Sequence, residues 1–252
     1  MKVLILGGTS DAIELAAMLH KRGHRVITSL AGLTNNPTTP KGKVIVGGFG
    51  GANGLADYLK AKKIDYLIDA THPFAAHMSK NAVAAAAAAK VELIRLIRPV
   101  FEEPHDANWW RVESVEEAAR RLPVGATVFL TVGRQNLAPF ITREDVRFLV
   151  RSIEVPEMEL PDNFKTIQGR PPFSRGEEIA LMKREGITHL VAKDSGSAQT
   201  EEKLQAAYML RIQVVMIARP ELEPCREVNS IAEIEALLDQ LPAPKRRFFF
   251  LP

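Results

Sequence analysis

A single cysteine stands among 252 residues, so Cys225 has no internal disulfide to form and no second thiolate with which to hold zinc. No apolar run is long and continuous enough to cross a bilayer, and the amino terminus passes straight into a strand-like segment, with no leader and cleavage site. A cytoplasmic protein with no membrane partner is expected. Lys and Arg number 33 against 30 Asp and Glu, a net charge of +3. That surplus is too mild for a nucleic-acid surface and suits a small anionic ligand. There is no G-x-S-x-G elbow, no Walker lysine motif and no short-period repeat. His72 and His77 lie five residues apart, whereas ligands on one helix face want i, i+4, so no metal site is expected.

What is present is an alternation of strand-like and helix-like segments, with 46% hydrophobic residues to fill a core. Apolar runs at Val3–Leu6, Val26–Leu30, Val44–Val46, Tyr66–Ile68 and Leu93–Ile97, with helical stretches between them, predict a doubly wound parallel sheet. The stretch Pro73–Lys90, with six alanines in a row from Ala84, predicts a helix lying close on that sheet. The proline-bearing "RPVFEEPHDAN" reads as a linker over 99–108. Strands at Thr127–Val132, Val146–Ile153, His189–Ala192 and Val214–Ile217 then follow, with capping boxes at Ser114/Glu117, Ser174/Glu177 and Ser230/Glu233. The expected fold class is α/β, with two Rossmann-like lobes of parallel sheet enclosing a cleft: a nucleotide-binding domain over 1–98 and a substrate domain over 109–241. The tail 242–252, ending "FFFLP", reads as frayed or locally docked.

"LGGTSDA" ends the first strand and opens a helix, so Gly7, Gly8, Thr9, Ser10 and Asp11 are positioned to let a pyrophosphate approach free helix N–H groups. A tight turn needing glycine for steric reasons alone fits the same residues. "TSLAGLTNN" after the second strand lacks the acid that holds an NAD ribose; Ser29, Thr34 and the amides around Gly32 instead suit a 2′-phosphate, or a plain polar loop. Gly47, Gly48, Phe49 and Gly50 supply a second wall for a cofactor. Thr71 and His72 end the fourth strand, either at a ligand or as an ordinary helix start. Tyr58-x-x-x-Lys62 reads as helix surface. In the second lobe, Arg134 and Gln135, and Lys193, Ser195 and Gly196, follow strands and lead into helices, where anions are welcome. Lys203 joins them as an anion ligand or as a solvated surface charge.

"LGGTSDA", "SLAG-T", "GGFGG", "DATHPFAA", "GRQ", "AKDSG" and "VVMIARP", in this order, resemble the precorrin-6A reductases of cobalamin biosynthesis from about Val3 to Leu241. The resemblance implies two α/β lobes, NADPH as cofactor, a tetrapyrrole substrate, and hydride transfer to a macrocycle carbon with a proton added next to it. His72, Asp194 or water is the expected proton donor, and neighbouring enzymes of the pathway are candidate partners. Leu33 and Ile13 stand where the family pattern has arginine, and Asp194 where it has asparagine. A cobalt-precorrin-6A reductase using NADH, another NADP-dependent reductase, and a non-catalytic NADP sensor are the alternatives.

Overall fold

A computed structural model describes residues 1–32, 38–107 and 109–240. Two compact units divide the chain: the first comprises Met1–Arg98 and the segment from Glu221 onward, the second Pro99–Pro220.

The first unit runs β1 (Lys2–Leu6), α1 (Ser10–Lys21), β2 (Arg25–Leu30), β3 (Lys43–Val46), α2 (Gly51–Ala61), β4 (Tyr66–Asp69), α3 (Ala76–Ala89) and β5 (Glu92–Leu96). Its apolar runs are strands because parallel strands covered on both faces bury every side chain, as Val3, Leu4, Ile5 and Leu6 are buried without alternation. On one face they pack with Leu15, Ala16 and Leu19 of α1, on the other with Leu55 and Leu59 of α2 and Ala82, Ala85 and Ala86 of α3. The alanine run does bring α3 onto β4 and β5.

The second unit runs β6 (Trp110–Val112), α4 (Val115–Arg121), β7 (Thr127–Leu130), α5 (Ala138–Ile141), β8 (Arg147–Ser152), β9 (Phe164–Gln168), α6 (Arg175–Arg184), β10 (His189–Lys193), α7 (Ala198–Met209) and β11 (Gln213–Ile217), with a 3₁₀ turn at Arg134–Asn136. Ser174 and Glu177 form the expected reciprocal capping box on α6. Ser114 caps α4 through the Glu117 N–H, while the Glu117 carboxylate takes the N–H of Glu113 instead.

The chain then returns to the first unit with β12 (Arg226–Val228) and α8 (Ile231–Gln240). β12 pairs in parallel with β5, completing a six-stranded sheet of order β12-β5-β4-β1-β2-β3. This corrects the expected boundary at residue 241. Val228, Ile234, Leu237 and Leu238 lie in the core built on α1, so the final strand and helix belong to the first unit. Residues 99–107 are likewise no free linker, since Phe101 is buried in the core of the second unit. That sheet has the order β6-β11-β10-β7-β8-β9, all parallel. Residue 108 and the tail 242–252 lie outside the described residues. Among the described residues no helix is long and apolar enough to cross a membrane.

Candidate functional site

Each sheet has a point where the chain, having added strands on one side of an inner strand, continues on its other side. Connections there leave the strand ends on opposite faces and open a crevice at their carboxyl ends. In the first sheet this point lies between β1 and β4, in the second between β7 and β10.

The first crevice is floored by the glycine turn, and its two glycines do different jobs. Gly7 donates its N–H to the Ser29 carbonyl at 2.9 Å, and a Cβ there would come within 2.9 Å of Thr28 Cγ2. Its glycine serves packing. Gly8 has φ +109°, and no atom of the described residues lies within 4 Å of where a Cβ would point. The space over Gly8 is therefore open to a ligand. Thr9 caps α1, accepting from the Ala12 N–H at 3.1 Å and donating to the Ala70 carbonyl at 2.8 Å. One side chain thus joins the loops after β1 and β4. Ser10 and Asp11 occupy the first turn of α1, where backbone N–H groups have no helical partner. The Asp11 carboxylate is held by Arg98 at 2.5 Å, so it offers a ligand its backbone and not a free negative charge.

Ser29 is buried at the end of β2, and Gly32 follows with φ +78°. Leu33 and Thr34 lie outside the described residues. Beyond β3, Gly47 (φ +110°) donates to the Leu30 carbonyl at 2.9 Å, and Gly50 (φ +77°) is the N-cap of α2. Phe49 packs edge-on against Tyr58, with ring centroids 5.2 Å apart. Tyr58 is accordingly half-buried, not the surface residue expected, and its buried hydroxyl has no partner among the described residues. Gly54 also serves this loop: a Cβ there would run into the Phe49 carbonyl oxygen.

After β4 the organising group is Asp69, 2% exposed, which was not singled out from sequence. Its Oδ1 accepts from the Thr71 N–H (3.2 Å) and hydroxyl (2.7 Å), its Oδ2 from Ser79 Oγ (2.6 Å) and Arg95 Nε (3.4 Å). Arg95 in turn reaches the Glu223 carbonyl and the Glu227 carboxylate, tying the returning segment to β4. The loop bearing His72 is thereby fixed. His72 is exposed and its Nδ1 accepts from the Phe74 N–H at 3.2 Å, which puts the proton of the neutral ring on Nε2.

At the second crevice, Gly133 (φ +87°), Arg134 and Gln135 follow β7, while Lys193, Asp194, Ser195 and Gly196 (φ +61°) end β10. Arg134 donates to the Val155 carbonyl at 3.1 Å and pairs with the exposed Glu157 at 2.9 Å. Burial pushes the Lys193 ammonium down to about 8. Asp194 does not present a free acid. Its buried Oδ1 accepts from the Phe101 N–H at 2.9 Å and lies 3.8 Å from Arg219 Nη2, and Arg219 also holds the Asp194 and Pro99 carbonyls. It fastens the start of the unit to β10. Ser195 Oγ meets Thr200 Oγ1 at 3.2 Å. Lys203 is buried, which removes the reading of it as a solvated surface charge.

The family described as precorrin-6x reductase CbiJ/CobK matches residues 2–241. The precorrin-6A reductase of Rhodococcus erythropolis is 42% identical over 234 residues, covering 92% of this chain and 94% of its own. The precorrin-6A reductase of Rhodobacter capsulatus is 38% identical, covering 92% and 93%, and a cobalt-precorrin-6A reductase of Priestia megaterium 31% identical, covering 94% and 98%. A solved structure of a CobK precorrin-6A reductase superposes with a TM-score of 0.91 at 36% identity, over 95% of this chain and 96% of the other.

Proposed function

The chain belongs to the precorrin-6x reductase family, and on that premise we propose that it reduces a ring double bond of precorrin-6A to give precorrin-6B, with NADPH as reductant. A reductase of this family implies a nicotinamide cofactor, which when bound supplies a hydride to a macrocycle carbon. The observation that carries the reading is the Gly7–Thr9 turn at the switch point of the first sheet, with open space over Gly8. Gly8 to Asp11 hold the pyrophosphate through backbone N–H groups, the Gly7 N–H being given to Ser29, and Ser29 and Gly32 line the adenosine side. The Gly47–Gly50 loop, stiffened by Phe49 on Tyr58, forms the opposite wall. Thr71 and His72 approach the reacting end. With its hydroxyl hydrogen given to Asp69, Thr71 offers a ligand only an acceptor oxygen. His72 can act as the acid only as imidazolium, with Nδ1 protonated and released from the Phe74 N–H; it then hands the Nε2 proton, directly or through water, to the carbon beside the one reduced and returns to the neutral ring.

The higher identity to relatives named for the cobalt-free substrate supports precorrin-6A over its cobalt form. Absence of an acid in "TSLAGLTNN" supports NADPH over NADH. Anaerobic incubation of the chain with precorrin-6A and each cofactor, following cofactor oxidation optically, tests both readings. We expect turnover with a higher kcat/KM for NADPH; no oxidation of either cofactor defeats the assignment, and a clear NADH preference defeats the cofactor choice.

Arg134, Gln135, Lys193, Ser195 and Gly196 hold macrocycle carboxylates at the second crevice. Each shielded, charge-assisted contact is worth about 1.5–3 kcal/mol, so Arg134→Ala should lower kcat/KM for precorrin-6A by roughly tenfold to a hundredfold. Cofactor affinity should stay put. A loss shared equally with NADPH binding would remove the second unit from substrate recognition.

A further inference from the structure

The first sheet has two ends, and the one opposite its crevice carries positive charge that its own acids do not match. In a parallel sheet with crossover helices, every strand starts at this end and the helices that feed those strands finish there. Arg25 opens β2, in register with Lys2 of β1. Lys43 opens β3, with Lys41 two residues before it, while Lys60, Lys62 and Lys63 close α2. The fold ties these groups together. Lys2 Nζ donates to the Lys62 carbonyl at 2.5 Å, and Gly42 (φ +93°) lies so close on β2 that a Cβ there would come within 2.6 Å of the Val26 carbonyl oxygen. Neighbouring strands lie about 4.8 Å apart, so β1 to β3 span roughly 10 Å.

Arg25, Lys41, Lys43, Lys60, Lys62 and Lys63 are all exposed, and none has an ion pair to a described residue. The residues outside the described ones carry no Asp or Glu. On these elements the carboxylates are Asp65, whose Oδ2 accepts the Lys2 N–H at 2.6 Å, and Asp57, a turn back on α2. The carbonyl end of α2 accounts for its three lysines, because a helix C-terminus favours cations. It accounts for nothing at Arg25, Lys41 and Lys43, which stand at strand starts. The arginines toward either flank are instead paired: Arg22 at the end of α1 with Glu235 and Asp239 of α8 at 3.1 and 3.0 Å, and Arg226 of β12 with Glu92 of β5 at 2.8 Å.

We propose that this end of the first unit docks a carboxylate-rich protein surface, held by Arg25, Lys41, Lys43 and the end of α2. A nucleic-acid strand or an anionic bilayer carries continuous negative charge, and extended over this end it would run onto Glu92, Glu235 and Asp239. A protein surface can set carboxylates opposite the lysines and cations opposite those flanking acids. Handles for base stacking or apolar insertion are also missing here. The one exposed large apolar side chain among the described residues of the unit, Val46, ends β3 at the opposite end of the sheet. Lysine lacks the fork of arginine, so the contact is governed by charge: fast to form, quick to part and sensitive to salt. This surface lies at the far end of the sheet from the glycine turn, and the proposal does not depend on the reductase reading.

The test titrates the full chain with a fluorescein-labelled decamer of glutamate at low ionic strength, read by fluorescence anisotropy. Wild type is compared with the triple variant Lys43→Gln, Lys60→Gln, Lys62→Gln and with a control of equal net charge, Lys80→Gln, Arg120→Gln, Lys183→Gln, at exposed positions elsewhere. Wild type and control should bind alike, and the first variant about tenfold more weakly. Raising the salt to physiological strength should bring wild type down toward that variant. The variant should melt no lower than wild type, because like charges have been parted, and its NADPH affinity should be unchanged. Equal affinity in all three chains, or an equal loss in the control, overturns the docking surface. So does a variant that melts well below wild type, which would make the lysines structural. A ten-nucleotide single strand that binds more tightly than the glutamate decamer through the same lysines overturns the protein partner in favour of nucleic acid. Sedimentation of wild type, but not of the variant, with vesicles of phosphatidylserine and phosphatidylcholine overturns it in favour of a membrane. Glutamate binding that depends on these lysines, in a chain that oxidises no cofactor with precorrin-6A, sustains the surface and removes the reductase reading.

Discussion

Gly8→Val should abolish cofactor binding and leave the chain folded. Gly8 sits at φ +109° with no atom of the described residues within 4 Å of the position a Cβ would take, so the new side chain projects into the space proposed for the pyrophosphate. Holding a β-branched residue at that φ costs of order 1–3 kcal/mol, less than the roughly 5–15 kcal/mol by which domains are stable. Losing two charge-assisted contacts removes about 3–6 kcal/mol of binding, or roughly a hundredfold to ten-thousandfold in Kd. Titration with NADPH by cofactor fluorescence, with circular dichroism as the fold control, gives the answer. A folded variant of unchanged affinity would mean that the phosphates lie elsewhere. Gly7→Ala makes the contrast, because its Cβ would strike Thr28 and its defect should fall on stability first.

Glu178→Ala should be strongly destabilising to the second unit. Glu178 is 2% exposed and, among the described residues, is the one carboxylate lining a pocket with Arg151, its ion-pair partner, and Lys203. Its removal leaves two buried cations uncompensated, for which a loss of about 3–5 kcal/mol is expected. Adding Lys203→Met should recover part of that loss, since one of the stranded charges goes with it, and the double-mutant cycle measures the coupling. Urea unfolding reads all four chains. A loss below about 1 kcal/mol, the range of exposed pairs, would show that water reaches the pair freely and that the charge imbalance is not real.

Most of the sheet was legible because a buried parallel strand is a run of apolar residues, and β1, β4, β7, β10 and β11 each are. The strands that escaped are the short or polar ones at sheet edges. β6 reads WRV, β9 FKTIQ and β12 REV, and an edge strand bonded on one side carries too weak a pattern to separate from loop. Missing β12 is what moved the domain boundary, since nothing local in Arg226–Val228 points back to β5. The glycine turns were legible, but not that Gly7 serves packing while Gly8 faces open space. Asp69 and the Arg151–Glu178 pair were missed for a different reason. Apart from Thr71, two residues after Asp69, their partners lie 10 to 27 residues away, beyond any motif spacing. A usable signal did exist: Arg95 and Arg151 each interrupt an apolar strand, and a charge in a strand covered on both faces requires a buried partner.

The return of β12 to the edge of the first sheet sets an order of events during synthesis. The first unit begins with residue 1 and cannot be finished until residue 228 and the helix after it have been made, whereas every strand of the second unit lies within one uninterrupted stretch. On the ribosome the later-starting unit can thus complete its sheet first. Through all that time β5 waits with an open edge, and Arg95, destined for burial, waits for Glu227. An edge so exposed is a site for wrong pairing, and the charge carried on it, which no neighbouring strand would welcome, guards it until its own partner arrives.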